Sequence, residues 1–343
     1  MVRSDCDATE TAGSIMIISR TPFRISFFGG GTDFPEFYRV HGGATLLTTI
    51  DQYCYITIHR LAPFFKYRFK ASYARTETVQ SAQEFKHPLI RECLTHLDIK
   101  EGLEIAHVAD LPGRTGIGSS SSFTVGLLNV LHALRHDRVT AEDLAKESIH
   151  VERVLVKDIG GHQDQYAAAY GGLMRLNFNP DGRVTSQLLS LPSERIRAVE
   201  SCLMLFFMGT EQSSKAILVE QQKRTSQNVA VLQEMKAMVQ TAETILTSHQ
   251  PIANFGRLLH DSWQLKKTLS NGISNPDIDE AYAIARRAGA LGGKLLGAGG
   301  RGFLLLFAMP EAQAVIRQQL KHFQEVPFAF STKGSEIIFE SSR

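Results

Sequence analysis

The segment 111–122 reads Leu-Pro-Gly-Arg-Thr-Gly-Ile-Gly-Ser-Ser-Ser-Ser, and it constrains the fold more than any other part of the chain. The alternating run 102–108 before it is typical of a strand, and the run that begins at Phe123 has the apolar spacing of a helix. A glycine loop that enters a helix N-terminus attracts anions, because unpaired N–H groups and the helix dipole favour negative charge. The segment therefore predicts a phosphate site, in which the serine hydroxyls are further donors and candidate Mg²⁺ ligands.

Two other interpretations of this segment are weaker. The common nucleotide-binding loop needs a Gly-Lys-Ser/Thr at a fixed spacing, and none follows here. A flexible Gly/Ser linker is disfavoured because apolar runs of strand and helix type flank the glycines directly.

Length and composition limit the function classes. A chain of 343 residues with 43% hydrophobic and 21% charged residues predicts about two folded domains with large cores. A net charge of +2 argues against a general nucleic-acid binder. The longest apolar runs are too short to span a bilayer, so no membrane partner is expected. Four cysteines without metal-site or disulfide spacing, together with a polar N-terminus, predict a cytoplasmic protein.

The pattern of elements predicts an α+β chain of two halves with a cleft between them. Residues 1–13 are expected to be a disordered tail, 14–190 the N-terminal domain and 191–343 the C-terminal domain, with the boundary near 185–200. Thr140 predicts a capped helix that runs to about Val156.

A first cluster of candidate site residues lies in the segment 20–33. A strand that carries Arg24 leads into Gly29-Gly30-Gly31-Thr32-Asp33, where glycines let a ligand approach the backbone and Asp33 can accept hydrogen bonds from sugar hydroxyls. The structural alternative is a tight turn with Asp33 as a helix N-cap.

A second cluster contains two carboxylates on either side of Gly160-Gly161. Glu152 and Asp164 suit a metal ligand and a catalytic base, although Asp158 competes with Asp164 on chemistry alone. By itself this pattern is weak, and an exposed glutamate with an N-cap aspartate fits it better than a catalytic pair does.

A third glycine segment, 294–302, contains Gly-x-Gly-x-x-Gly at 297, 299 and 302. A dinucleotide site would need a helix after it, but the strand-like run 303–307 follows. We therefore predict a hairpin, formed by 294–296 and 303–307, whose glycines closely approach another group.

These segments together resemble the GHMP kinase superfamily, which includes galactokinases, homoserine kinases and mevalonate kinases. Residues 20–33 resemble its N-terminal substrate motif, 112–121 its phosphate loop with Ile117 in place of Leu, and 294–302 its C-terminal glycine motif. The resemblance covers nearly the whole chain. It implies the two-domain fold of that superfamily, with an N-terminal half of the ribosomal protein S5 domain 2-like type, a ferredoxin-like C-terminal half and an active-site cleft between them.

The resemblance also implies roles for individual residues. Asp164 and Arg24 would be catalytic, with Asp164 as the base or electrostatic partner of the attacking hydroxyl. The cofactors would be ATP and Mg²⁺, with Ser120 and Glu152 as metal ligands. ATP would be bound by Pro112, Gly113, Arg114, Gly116, Ile117, Gly118, Ser119, Ser120 and Ser121. The acceptor would be bound by Arg24, Gly30, Gly31, Thr32, Asp33, Asp164, Gly299, Gly300 and Arg301.

Departures from the galactokinase pattern narrow the range of possible acceptor substrates. Galactokinases carry Gly-Glu-His-Thr-Asp where this chain has 29–33, so the sugar-gripping Glu and His are absent. The Gly-Gly-Gly-Thr-Asp form, with Asp51-Gln-Tyr-Cys-Tyr and the segment 163–172, resembles bacterial D-glycero-D-manno-heptose 7-phosphate kinases. That resemblance implies phosphorylation of the anomeric C1 hydroxyl, on the way to GDP-heptose for capsule or lipopolysaccharide.

Three alternatives stay open: an L-fucokinase-type or other sugar 1-kinase, a non-catalytic sensor that binds ATP and sugar, and a mevalonate-type kinase. The expected partners are small molecules, and a homodimer is compatible with the sequence. A 7-phosphate needs basic contacts. The candidates are Lys66, Arg68, Arg175 and Lys215.

Overall fold

Two β-sheets organise the chain in the computed structural model, which describes residues 15–210 and 214–341. The predicted tail at 1–13 lies outside the described residues. The strands in the described ranges are β1 (Met16–Phe28), β2 (Gly43–Arg60), β3 (Phe69–Ser72), β4 (Thr76–Val79), β5 (Leu103–Ala109), β6 (Met174–Phe178), β7 (Val184–Leu188), β8 (Leu203–Phe207), β9 (Gly292–Leu295), β10 (Phe303–Phe307), β11 (Gln324–Glu325), β12 (Phe330–Ser331) and β13 (Glu336–Glu340).

Helices cover the faces of these sheets. The α-helices in the described ranges are α1 (Pro35–His41), α2 (Pro88–His96), α3 (Ser119–Leu134), α4 (Ala141–Ile149), α5 (Gln163–Tyr170), α6 (Ser193–Glu200), α7 (Ser214–Lys223), α8 (Val229–Thr247), α9 (Ala253–Thr268), α10 (Pro276–Arg287) and α11 (Pro310–Gln319). A 3₁₀ turn covers Ala82–Glu84, and a π-helical segment covers His150–Leu155. None of these helices combines the length and apolar character needed to cross a membrane.

The larger sheet has nine strands among the described residues, in the order β13-β1-β2-β5-β3-β4, with β6 and β12 also paired to β2 and β7 paired to β6. Its pairs are antiparallel except for β3 with β5. The smaller sheet has the order β11-β8-β10-β9. The predicted hairpin around the third glycine segment is confirmed, because β9 and β10 pair in antiparallel register.

The strand, glycine loop and helix predicted around 111–122 are confirmed as β5, a loop and α3. Helix α3 is apolar on nearly every side and packs on β1 and β2, so it is buried between the sheet and its neighbouring helices. Thr140 begins α4 with a capping box completed by Asp143. The predicted extent of this helix, to about Val156, is confirmed, although the chain changes from α- to π-helix at His150.

Helices α8 and α9 connect the two sheets. The ring of Phe255 on α9 lies 5.4 Å from Phe27 and 5.1 Å from Phe28 on β1, and 5.8 Å from Phe307 on β10. This aromatic contact fixes the end of β1 against the second sheet. The chain then returns to the first sheet, because β12 pairs with β2 and β13 pairs with β1. The segment 330–340, predicted as part of the second half, therefore completes the sheet of the first.

Candidate active site

The phosphate loop between β5 and α3 is held against β1 by backbone contacts. The N–H of Arg24 donates to the carbonyl of Ile117 at 3.0 Å, and the Ile117 side chain is fully buried. Gly116 and Gly118 have φ of 81° and 75°, a left-handed region that favours glycine. Gly118 is the N-cap of α3, so the loop ends at the positive end of that helix dipole.

Arg24 and Asp164 form a bidentate ion pair beneath this loop. The guanidinium Nε and Nη2 donate to the two carboxylate oxygens of Asp164 at 2.7 and 2.8 Å. A third donor of Arg24, Nη1, reaches the carbonyl oxygen of Gly116. The arginine is 5% exposed, and the aspartate side chain keeps 23% of its surface accessible. The two residues are 140 positions apart in the chain, and the fold brings them together as expected for one site.

Gly118 leaves the space above this pair open. A Cβ at this position would lie 3.1 Å from Cγ of Arg24 and 3.5 Å from Cγ of Asp164. The loop backbone, the guanidinium and the carboxylate therefore share one small region. Asp158, the competing carboxylate, lies apart from it, 4.0 Å from Arg153 and 40% exposed.

Glu152 is buried beside the start of α3. Its carboxylate accepts hydrogen bonds from Gln165 at 2.8 Å, Ser121 at 3.1 Å and Ser148 at 3.3 Å. Burial raises the pKa of Glu152, whereas Arg153, Gln165 and Ser121 act in the opposite direction. The structure thus pairs Glu152 with Ser121, whereas Ser120 is exposed in the first turn of α3. Ser120 stays a prediction as a metal ligand.

The donor set near Glu152 fits a cation that is held mainly by phosphate oxygens. No group of three or more His, Cys, Asp or Glu side chains with metal-site geometry occurs in ranges 15–210 and 214–341. One carboxylate and a serine hydroxyl match Mg²⁺, which takes one or two protein carboxylates and completes its shell with water and substrate phosphates.

In the segment 29–33, which was predicted to bind the sugar, the side chains of Thr32 and Asp33 are buried and contact the protein itself. Thr32 is fully buried, and its hydroxyl donates toward the carbonyl oxygens of Gly29 and Ala44, both at 2.8 Å. Its side chain therefore supports the turn and does not face the cleft. Gly30 and Gly31 remain partly exposed, as a ligand-facing backbone requires.

Asp33 is also buried, at 1% exposure, and its carboxylate accepts from the backbone N–H groups of Gly31 at 2.9 Å and Gln163 at 3.2 Å. It therefore ties the glycine turn to the N-terminus of α5. The alternative of an N-cap for α1 was wrong, because Phe34 occupies that position. Burial and the nearby charge of Asp164 raise the pKa of Asp33.

The third glycine loop packs on the protein's own backbone. A Cβ on Gly297 would lie 2.3 Å from Cα of Gly116, and one on Gly299 would lie 2.5 Å from Cα of Ile273. The Nη2 of Arg301 lies 3.4 Å from the carboxylate of Asp277 in α10, and both side chains are at least half exposed. Arg301 thus has an exposed partner within the protein, and its contact with the acceptor stays a prediction.

Two buried lysines in this region were missed from the sequence. Lys294 donates to the carbonyl of Phe27 at 2.9 Å, and Lys266 donates to the carbonyls of Leu295 and Gly297. Burial lowers the pKa of both ammonium groups, that of Lys266 to about 8. The available signal for Lys266 was its register, since it lies on the buried face of α9.

The basic residues proposed for a 7-phosphate have separate environments. Arg175 pairs with Glu243 at 2.5 Å, and Arg68 donates to the carbonyl of Lys100, so both have partners within the protein. Lys66 and Lys215 are exposed.

Comparison with known proteins tests the resemblance. Residues 83–172 match the N-terminal domain of the GHMP kinases, and residues 242–325 match the GHMP kinase C-terminal domain. The chain belongs to the GHMP kinases. The first match contains the phosphate loop, Glu152 and Asp164, and the second contains Lys266 and the third glycine loop.

Curated relatives include several kinases of this superfamily. A D-glycero-alpha-D-manno-heptose 7-phosphate kinase of Campylobacter jejuni is 26% identical over 333 residues, covering 93% of this chain and 97% of that protein. An L-fucokinase/L-fucose-1-P guanylyltransferase of Bacteroides fragilis is 29% identical over 256 residues, covering 70% of this chain and 26% of that protein. These relatives support a phosphotransferase, a sugar kinase within the GHMP kinases.

Solved structures confirm the two-domain α+β fold. A D-glycero-D-manno-heptose 1-phosphate kinase from Bacteroides thetaiotaomicron has a TM-score of 0.77 at 22% identity and covers 95% of this chain and 100% of its own. A galactokinase from Lactococcus lactis has a TM-score of 0.71 at 15% identity and covers 94% of this chain and 95% of its own.

Proposed function

We propose that the protein is an ATP-dependent kinase that phosphorylates the anomeric C1 hydroxyl of D-glycero-D-manno-heptose 7-phosphate. The product would be the 1,7-bisphosphate, used to make GDP-heptose for capsule or lipopolysaccharide. The observation that carries the catalytic part of this proposal is the Arg24–Asp164 ion pair directly beneath Gly118 of the phosphate loop.

Each residue of this pair has a defined task in phosphoryl transfer. The acceptor oxygen attacks the γ-phosphorus, its proton passes to the Asp164 carboxylate, and the bond from the γ-phosphorus to the bridging oxygen of ADP breaks. Arg24 stabilises the charge that develops between acceptor and phosphoryl group. The exposed N–H groups of the loop and the N-terminus of α3 bind the phosphates. A positioned general base contributes about 10²–10⁴-fold to the rate.

Mg²⁺ would be held by the Glu152 carboxylate and the Ser120 hydroxyl. When bound, the ion neutralises phosphate charge during transfer. Ser121, Ser148 and Gln165 keep the Glu152 carboxylate in place through their hydrogen bonds.

Two observations support the assignment of the acceptor: the matching relatives and the glycine segment 29–33. A heptose 7-phosphate kinase matches nearly the full length of this chain. Gly30 and Gly31 are partly exposed and carry no side chain, which suits a bulky seven-carbon sugar. An L-fucokinase-type activity is the second candidate, because a bifunctional fucokinase shares 29% identity over its matched region.

A coupled ADP-release assay with heptose 7-phosphate, mannose, fucose and galactose tests this proposal. We expect turnover of the heptose phosphate, with the new phosphate on C1 in the ³¹P NMR spectrum. Asp164→Asn should lower kcat by about 10²–10⁴-fold, whereas Asp158→Asn should leave it unchanged. Turnover of free fucose alone would overturn the acceptor assignment, and ATP binding with no turnover of any sugar would favour a sensor.

A further inference from the structure

Three side chains from three helices hold the carbonyl groups of the loop between β9 and β10. The pairs are Lys266 of α9 with Leu295 and Gly297, Gln221 of α7 with Ala298 at 2.9 Å, and Asn275, the N-cap of α10, with Gly300 at 2.6 Å. Lys266 is the cation among these three donors. The second half of the chain thus fixes the shape of the third glycine loop from its own side.

This loop in turn presses on the phosphate loop. Gly297 meets Gly116 so closely that neither position has room for a Cβ, and the N–H of Phe303 donates to the carbonyl of Thr115 at 3.2 Å. Gly116 is also the residue whose carbonyl accepts from Arg24. A continuous set of contacts therefore leads from Lys266 through Gly297 and Gly116 to Arg24.

The charges around Lys266 belong to the reacting centre. Its ammonium interacts electrostatically with Arg24 on β1, Asp33 in the glycine turn and Asp164 on α5, and Lys294 on β9 is a further neighbouring cation. Lys266 is 6% exposed. A buried ammonium is costly in free energy, and a neutral side chain could fill the same space. The cation is therefore poorly explained by packing alone.

We propose that Lys266 is a positioning residue for phosphoryl transfer, which holds the phosphate loop in register with Arg24 and Asp164 by fixing Gly297 against Gly116. Its charge also adds to the positive potential behind the phosphate site. The burial of Lys266 keeps it from touching the acceptor, so its effect passes through the loop. This inference rests on the proposed function only in taking 112–121 as a nucleotide phosphate loop.

The test replaces Lys266 by Met, which has similar length and no charge. Lys267→Met is the matched control, because Lys267 is the next residue of α9 and pairs with Asp279 at 3.3 Å. Calorimetry with MgADP, without an acceptor, gives nucleotide affinity, and steady-state assays give kcat and KM for ATP and for the acceptor.

We expect Lys266→Met to weaken nucleotide affinity and kcat/KM for ATP by about 10–100-fold, since misplacement of the reacting groups by about 1 Å can cost 10²-fold. The thermal midpoint and the KM for the acceptor should change little, and Lys267→Met should match the wild type. A fall in thermal midpoint with unchanged affinity in the folded protein would overturn the inference.

A pH profile of MgADP affinity separates charge from packing. Because the pKa of Lys266 lies at about 8, wild-type affinity should fall as pH rises through that value. Lys266→Met should lack this step, and Lys294→Met should keep it. If Lys266→Met does not fold, Lys266→Gln, which is neutral but keeps an N–H donor, is measured instead and should also lack this step. A wild type with no step near pH 8 would contradict the role of charge.

These measurements are separable from the acceptor assignment. A protein that binds MgADP in a Lys266-dependent way but ignores heptose 7-phosphate would overturn the proposed function and leave the positioning role intact. If the protein phosphorylates heptose 7-phosphate but its affinity for MgADP does not depend on Lys266, the positioning role is overturned and the proposed function stands.

Discussion

The candidate chemistry depends on one ion pair and on the absence of a side chain above it. Arg24 uses all three nitrogens of its guanidinium, two for Asp164 and one for Gly116. A Cβ at Gly118 would lie 3.1 Å from Cγ of Arg24 and 3.5 Å from Cγ of Asp164, so the space next to both side chains is open only because this residue is glycine. The site therefore tolerates little change at this glycine, for a steric as well as a conformational reason.

We expect Gly118→Ala to reduce turnover by at least about tenfold. The new methyl group would lie 3.1 Å from Cγ of Arg24 and would disturb the pair with Asp164. The left-handed φ of 75° adds strain of about 1–2 kcal/mol. Steady-state kinetics and urea unfolding measure the two effects.

Gly182→Ala is the matched control, because Gly182 has a φ of 89° but no atom within 4 Å of a Cβ. It should show a similar loss of stability with normal kinetics. Equal kinetic losses in both variants would mean that strain, and not contact with Arg24, limits Gly118.

One helical segment has a divided task. Helix α4 begins at a capping box, and the chain continues as a π-helix that carries Glu152. Segments of π-helix are frequent at functional sites. Helix α4 therefore provides stability through its cap, and the π-helical segment provides the buried carboxylate of Glu152, which accepts a hydrogen bond from Ser121.

Thr140→Ala should lower the free energy of unfolding by about 1 kcal/mol, because it removes the side-chain acceptor for the N–H of Asp143. Turnover and its Mg²⁺ dependence should be unchanged. Denaturant unfolding of this variant is compared with that of Glu142→Ala, which removes only an exposed i,i+4 ion pair with Lys146 and should have a smaller effect. A change in Mg²⁺ dependence would contradict this separation of tasks.

At the scale of the whole molecule, the C-terminal segment 330–340 packs against elements from the first half of the chain. The hydroxyl of Ser335 lies 2.8 Å from that of Thr21 and accepts from Asn129 of α3 at 3.0 Å. A Cβ on Gly334 would lie 2.0 Å from the carbonyl oxygen of Ala169 in α5. The segment 330–340 thus packs on the same helices that carry the phosphate loop and Asp164.

Removing residues 330–343 should therefore destabilise the first sheet as well as the C-terminal half. We expect a loss of about 2–5 kcal/mol in the free energy of unfolding, because β1 loses its pairing with β13, β2 loses its pairing with β12, and apolar residues become exposed. Ile338→Thr, at a side chain that is 46% exposed, should stay within about 0.5 kcal/mol of wild type. A truncated chain with wild-type unfolding would contradict this role for β12 and β13.

The amino-acid sequence alone predicted the strand, glycine loop and helix around 111–122, the hairpin formed by 294–296 and 303–307, and the resemblance to the GHMP kinases. These features depend on local periodicity, on glycine spacing and on the order of motifs, all of which are visible along the chain. The Arg24–Asp164 pairing, in contrast, joins residues 140 positions apart. Residue chemistry alone left Asp158 in competition with Asp164, the family resemblance favoured Asp164, and the fold shows that Asp164 is the carboxylate that pairs with Arg24.

The tertiary structure determined the remaining contacts. Ser121 is a serine whose hydroxyl donates to Glu152, Arg301 pairs with Asp277, and the side chains of Thr32 and Asp33 hydrogen-bond to the backbone. The fold also placed Lys266 behind the phosphate loop, and it returned 330–340 to the first sheet. Each of these outcomes depends on which side chains meet after distant elements pack, and burial and pairing of charge are properties of that packing. Local sequence patterns do not predict such contacts between residues that are distant in the chain.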